Sequence, residues 1–335
     1  MNRSAKIFTS RRTQQTCLSS TSAFQAPEPP QSHGQPVFPD VHIRNDAATE
    51  GTNAFLRNDD SDAVFVVNGS SRGIGLQFVQ TLTQRTRGKI VACCRSPATA
   101  RDLQTIASAH QHRIQILPLD MEQQSTIDDV AYKIATEYRR VDALFNVVGI
   151  LGDGVTTPGP ERTLAAMERD WLQKSLEVNV IGPLMLTKAL SPLMRTTGTK
   201  VIRLSNRNAS GESEQLQINL PHGRPPTVVA SLSARVGSIS DNRLGGWYSY
   251  RLSKAALNQA TKTLALELKR QGTWIVALHP GTTDTDLSKP FQKNVQKERL
   301  FPVDFTVNSL MDVVESLDDP HSGGFFDWAG KAIPF

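Results

Sequence analysis

Ala63-Val64-Phe65-Val66-Val67-Asn68-Gly69-Ser70-Ser71-Arg72-Gly73-Ile74-Gly75 begins the regular part of this 335-residue chain. Its first five residues, Ala63 to Val67, are a short apolar, β-branched run, as expected of a strand buried on both faces. Glycines end it, and an amphipathic stretch at about 73–86 follows, so a strand turns directly into a helix. In that setting a glycine-rich turn reads as a dinucleotide fingerprint. Gly69 allows the tight turn, Gly73 lets the backbone approach a diphosphate, and Gly75 brings helix against strand. The helix N-terminus adds N–H groups and partial positive charge for phosphate oxygens.

The same alternation continues outward. Lys89 to Cys94 reads as a second strand and Pro97 to about His110 as a helix with proline in its first turn. Ile114 to Leu117 is a third strand, followed by a helix from about Gln123 to Arg139 and a fourth strand from Ala143 to Val148. Helical stretches lie around 163–179 and 183–195. Thr227 to Leu232 is the fifth strand, Trp247 to Gln271 a long helix, and Thr273 to Leu278 the sixth strand. A helix at 306–317 and an edge strand at Phe325 to Trp328 close the series. Strands alternating with helices demand right-handed crossovers and a parallel sheet covered on both faces. The expected fold is therefore a single α/β domain over 61–335, a doubly wound Rossmann-type sheet of about seven strands.

Thr196 to Pro226 interrupts the pattern. It is rich in Asn, Ser, Gly, Pro and Glu, and long for a connection inside a compact domain. Val201 to Leu204 is a possible strand, but Thr227 to Leu232 leads straight into the Ser233 segment and is preferred. The insertion at about 196–226 is read as a surface loop. Residues 1–60 read as a disordered targeting segment and linker. Arg3, Lys6, Arg11 and Arg12 lie in the first 27 residues with no acidic residue, so +4 of the net +5 charge sits there. Ser, Thr and Arg without a continuous apolar stretch suit a mitochondrial or plastid transit peptide, the alternative being a cytoplasmic extension. The remainder is nearly neutral, which does not suggest a nucleic-acid surface. No apolar run approaches membrane-spanning length. Cys17, Cys93 and Cys94 form neither a disulfide framework nor a C-x-x-C metal spacing, and no metal is expected.

Tyr250 and Lys254 stand four apart, one turn of the long helix, and so share a face. At roughly 4 Å and an effective dielectric near 20, an ammonium would favour the phenolate by about 4 kcal/mol. A phenol tuned in that way, near a dinucleotide, can exchange a proton with a carbonyl or alcohol oxygen. Cofactor preference follows from charge. An NAD site carries an acid about 20 residues past the glycines, whereas Arg95-Ser96 occupies that place here, and Arg72 lies in the glycine loop. Two guanidiniums suit a 2′-phosphate, so NADP(H) is expected over NAD(H). His279, ahead of Pro280 at a strand end, is read as structural.

Together these residues resemble the short-chain dehydrogenase/reductase family over about 62–330. The match takes in Gly69 to Gly75, Asp120, Asn146-Val147-Val148-Gly149, Asn179, Tyr250 with Lys254, and Pro280-Gly281 with Thr282 and Thr285. The segment from Ser233 to Lys254 and the ending Ser322-Gly323-Gly324-Phe325-Phe326-Asp327-Trp328 are similar to the C-factor-like branch, related to sniffer-type carbonyl reductases. The resemblance implies that Tyr250 protonates a carbonyl oxygen as hydride reaches carbon. Lys254 would hold the nicotinamide ribose and lower the Tyr250 pKa, and Asn179 would order a water toward Lys254. Asp120 and Asn146 would lie near the adenine and its ribose, and Thr282 and Thr285 near the carboxamide and diphosphate. It also implies a homodimer or homotetramer.

Two departures stand out. Val147-Val148 replace the family's usual Asn-Ala. More seriously, Ala234 stands where the family puts the serine that binds the substrate oxygen; Ser233 is the favoured substitute and Ser238 another. The expected activity is NADPH-dependent reduction of a small aldehyde or ketone, or the reverse oxidation of the alcohol. A cofactor-binding signalling or scaffold protein of the same fold with little turnover is the alternative.

Overall fold

The computed structural model describes residues 24, 26–28, 38–44, 49–197, 201–207, 213–221 and 223–335. Its first element is a short helix, α1 (Asn53–Asn58), and the alternation then runs as the hydrophobic pattern dictates: β1 (Val64–Asn68), α2 (Gly73–Arg85), β2 (Lys89–Cys94), α3 (Arg101–Ala109), β3 (Ile114–Pro118), α4 (Gln124–Glu137) and β4 (Ala143–Asn146). Helices α5 (Arg169–Leu176) and α6 (Gly182–Leu190) follow, joined by a π-helical turn at Glu177–Ile181. After β5 (Val201–Arg207) and β6 (Ser213–Asn219) come β7 (Thr227–Leu232), α7 (Tyr248–Leu268), β8 (Thr273–His279), β9 (Thr282–Thr283), β10 (Leu300–Phe301), α8 (Val303–Glu315) and β11 (Phe325–Asp327).

Seven strands form one sheet in the order β11-β8-β7-β4-β1-β2-β3, every pairing parallel. The chain builds outward from β1 through β2 and β3, then restarts on the other side with β4. The crevice beyond the carboxyl ends of β1 and β4 is therefore the topological switch point, where doubly wound sheets take their ligands. Side chains alternate across β1 as a strand requires. Phe65 and Val67 join Phe78, Leu82, Leu310 and Phe326 on one face. Val64 and Val66 join Ile127, Ile134, Leu186 and Leu268 on the other. A continuous apolar strand can be satisfied only by such a two-sided cover, each large side chain contributing about 1.5–3 kcal/mol on burial.

The insertion is not the expected loop. β5 and β6 pair antiparallel from Val201↔Asn219 to Arg207↔Ser213, a two-stranded sheet of its own. Leu216, Ile218 and Leu220 alternate with Gln217 and Asn219, the period of a strand with one buried face. Ile218 and Leu220 are buried in the same core as Leu186 and Leu190. The reading of residues 1–60 as targeting segment and linker also needs correction at 38–44 and 49–60, which the structure describes. Thr52 caps α1 through the Phe55 N–H at 3.1 Å, and Asn58 donates to Glu315 at 2.8 Å. Val41 is buried and donates its N–H to the Gly330 carbonyl. Packing thus begins well before residue 61, because these short apolar anchors dock on the C-terminal segment rather than forming a periodic element. The basic residues 1–23, on which the targeting expectation rests, lie outside the described residues. Among the described residues no helix is long and apolar enough to cross a membrane, and no group of His, Cys, Asp or Glu could hold a metal ion.

Candidate active site at the carboxyl edge of the sheet

The glycine turn sits at the switch point and is shaped for close approach. Gly69 has φ +70°, and a side chain there would press on the Val148 backbone. A Cβ on Gly75 would drive into the Gly69 carbonyl, so the first turn of α2 closes only on glycine. Ser70 is fully buried and donates its hydroxyl to the Cys93 carbonyl at 2.9 Å, tying the turn to β2. Ser71 and Ile74 are half-buried and Arg72 is exposed, pairing with Asp286 at 3.6 Å. The Thr285 methyl lies 3.5 Å from where a Gly73 Cβ would be, so the loop after β8 closes over the glycine turn. Arg95 is exposed just beyond β2.

Lys254 is 2% exposed, and its ammonium donates to the Leu232 carbonyl at 2.8 Å. It stands 5.6 Å from the centre of the Tyr250 ring. A Cβ at Gly149 would lie 3.5 Å from both this ammonium and Asn179 Oδ1, which fixes Gly149, Asn179 and Lys254 as one cluster. The π-helical turn aims Asn179 inward, a common use of such bulges. Its amide accepts from the Ile150 N–H at 2.8 Å and donates to the Ile150 carbonyl and to Ser253 Oγ, each at 3.0 Å. Ser253 in turn donates to the Tyr250 carbonyl at 2.8 Å.

The electrostatics differ from the expectation for the pair. Burial pushes the Tyr250 phenol up to about 12 and the Lys254 ammonium down to about 8. Desolvation is the cause for both groups, and the ammonium is spent on the Leu232 carbonyl. His279 is held to about 3 by burial and by the neighbouring Arg235 guanidinium, and its Nδ1 is buried without a partner, so it is neutral at physiological pH.

Other expected site residues are less available than the pattern suggested. Ser233 is buried and donates its hydroxyl to Asn258 Oδ1 at 2.6 Å, so it does not present a free O–H in place of the missing serine. Ser238 is buried as well, its oxygen accepting from the Asp241 N–H at 3.1 Å. Asn146 is 3% exposed and committed within the protein, to Asn68 at 2.6 Å and to Thr187 and Ser231 at 3.2 Å. Asp120 accepts from the Glu122 N–H and the Gln123 amide, capping the approach to α4. Pro280 and Thr282 are half-buried, and Gly281, at φ +72°, packs on the rings of Phe301 and Trp328.

Sequence reasoning missed Asn68 and Glu161. Asn68 accepts from the Val147 and Val148 N–H groups at 2.8 and 2.9 Å, holding the β4 turn at its distance from the glycine turn. A polar residue ending an otherwise apolar strand was the available signal. A small cavity walled by Asn146, Thr187, Ser231, Leu257, Thr261 and Leu264 lies between α6 and α7 and includes neither Tyr250 nor Lys254.

A parallel sheet in this strand order, with a glycine turn at its switch point, is the doubly wound fold in its dinucleotide-binding form. The chain belongs to the short-chain dehydrogenase family, whose sequence profile matches residues 63–216 and 231–296. It is 28% identical over 195 residues to the C-signal protein of Myxococcus xanthus, spanning 58% of this chain and 93% of that one. In structure it is similar to NADPH-bound carbonyl reductase from chicken fatty liver, with a TM-score of 0.66 and 27% identity over 82% of this chain and 99% of the other. The carbonyl reductase Sniffer of D. melanogaster gives 0.65 and 26%, over 82% and 100%. These are the relatives that the Ser233 to Lys254 segment and the C-terminal ending led one to expect.

Proposed function

We propose that the chain reduces a small aldehyde or ketone with NADPH, or runs the reverse oxidation, and that Tyr250 moves the proton. The observation that carries this reading is the buried Lys254 ammonium clustered with Asn179 and Gly149 one helical turn from Tyr250, at the sheet's carboxyl edge. The glycine turn suits a dinucleotide: glycine lets it close tightly on itself and on the β4 turn, and it leads directly into the N-terminus of α2 at the switch point, where N–H groups would face a diphosphate. Gly69 to Gly75 would receive the diphosphate and Thr282 and Thr285 the opposite side; Arg72 and Arg95 would receive a 2′-phosphate and Lys254 the nicotinamide ribose. Bound there, the nicotinamide supplies hydride to the carbonyl carbon. Tyr250 donates its phenolic proton to the carbonyl oxygen, and Lys254 and Asn179 lead back toward solvent for its replacement. Loss of NADPH absorbance over a panel of aldehydes and ketones tests the reading; a wild-type protein that binds NADPH yet reduces none of them overturns it.

Cofactor choice has its own test. Arg95→Asp is expected to weaken NADPH by roughly tenfold or more, about 1.4 kcal/mol per decade, while leaving NADH within twofold. Equal losses for the two cofactors in a fluorescence titration would place Arg95 away from the 2′-phosphate.

A second reading is a cofactor-binding signalling or scaffold protein with little turnover. It is favoured by Ala234 and by the Ser233 hydroxyl, whose proton is committed to Asn258. Ala234→Ser weighs the two readings. A hydrogen bond restored to the developing oxyanion is worth on the order of 10²-fold in kcat. A gain of that order in the variant supports the reductase reading with a handicapped site; an unchanged kcat means another group already binds the oxygen. We further infer a homodimer or homotetramer through the helices around 163–195 and 247–271, where Ile181 in the π-helical turn and Leu252 and Leu266 in α7 are exposed. Location in a mitochondrion or plastid rests on the composition of 1–27 alone.

A further inference from the structure

Glu161 lies in the segment between β4 and α5, yet it is 3% exposed and bonded to the start of α7, 88 positions away. Its carboxylate accepts from the Ser249 N–H at 3.1 Å and from the Ser249 hydroxyl, and its backbone carbonyl accepts from the Trp247 N–H. α7 needs this help. The residue at its N-terminal boundary is Trp247, which offers the first-turn amides no oxygen. Trp247 also has φ +54°, a left-handed conformation that is costly for a bulky residue, and it follows Gly245 and Gly246 at φ +62° and +64°. Backbone strain of this kind persists only where surroundings hold it, and it concentrates at functional sites. Tyr250 is the residue after Ser249, and the Trp247 ring stands 6.4 Å from the Tyr250 ring and 5.3 Å from Phe291. Whatever fixes the Ser249 amide therefore also sets the phenol and the aromatic wall beside it.

We propose that Glu161 is the positioning residue of the catalytic turn. It caps α7 from a distant loop and so sets where the Tyr250 hydroxyl and the Trp247 ring meet a substrate. The kinetic part of this inference rests on the reductase reading; the structural part does not.

The full chain carrying Glu161→Ala or Glu161→Gln tests it by hydrogen exchange and by kinetics. Loss of a helix cap is expected to speed exchange of the peptide spanning 247–251 by about five- to tenfold in Glu161→Ala, with β1 and β4 unchanged. Misplacement of the phenol is expected to lower kcat by about 10- to 100-fold with NADPH affinity retained. Glu161→Gln keeps an oxygen for the Ser249 amide and should recover most of both. Unchanged exchange at 247–251, exchange accelerated alike across the chain, or a kcat indifferent to the local change each overturns the proposal. If the wild type reduces no carbonyl, the reductase reading falls while the exchange result still decides whether Glu161 holds the turn.

Discussion

Tyr250→Phe is expected to lower kcat for carbonyl reduction by about 10³-fold, within the range that a positioned general acid supplies, while NADPH binds as in the wild type. The variant removes one oxygen and keeps the ring. Tyr250 Oη makes no hydrogen bond to any described residue, so its loss leaves no buried donor or acceptor without a partner. Ring packing against Trp247 is retained, and the change in stability should stay within about 0.5 kcal/mol. With the phenol held near 12, wild-type Tyr250 carries its proton throughout the neutral range and is ready to act as the acid. Steady-state kinetics beside calorimetric titration of NADPH separate the two effects. A variant retaining a tenth or more of wild-type turnover would assign the proton to another group, and a parallel loss of NADPH binding would mean the phenolic oxygen itself holds the cofactor.

What the residue pattern disclosed depended on how local the determining physics was. The buried strands were legible because Val64 to Val67, Ile90 to Cys93 and Val228 to Ala230 are continuous apolar runs, and a strand covered on both faces admits little else. The glycine turn was legible because sterics at Gly69 and Gly75 are set within a few residues. Glu161 was not legible: its partner is 88 positions away, and nothing around either residue announces the other. The hairpin β5–β6 was hidden differently. Its Leu216-Gln217-Ile218-Asn219-Leu220 alternation is plain in retrospect, but it lay among loop-forming residues that dominated the reading of 196–226. The Tyr250–Lys254 pair was found by spacing, whereas its electrostatics needed burial and the direction of the ammonium, and neither is encoded in a four-residue offset.

Lys254→Met is expected to abolish turnover and yet stabilise the cofactor-free protein at neutral pH. Burial moves the Lys254 pKa from 10.5 to about 8, and its charged form is disfavoured in the folded state by about 3 kcal/mol at about 1.4 kcal/mol per unit. Methionine fills a similar volume without charge. It forfeits the bond to the Leu232 carbonyl, worth about 1.5 kcal/mol or somewhat more for a charged donor, which leaves a net gain of about 1–2 kcal/mol. The sign with pH follows from proton linkage. Above about 10.5 the lysine is neutral in both folded and unfolded chains, and the wild type bears no penalty. Between 10.5 and 8 the unfolded chain binds the proton and the folded one does not, so wild-type stability falls as pH falls. Below 8 both bind it, and the penalty is constant. The difference between variant and wild type should therefore be largest at pH 7, a few degrees in thermal midpoint, and should vanish or reverse by about pH 10. Thermal unfolding of both proteins across that window measures it directly. A variant less stable than wild type at pH 7 would mean the ammonium is compensated by its surroundings, and the cluster of Lys254, Asn179 and Gly149 would then be a structural keystone rather than a destabilised site kept for its chemistry.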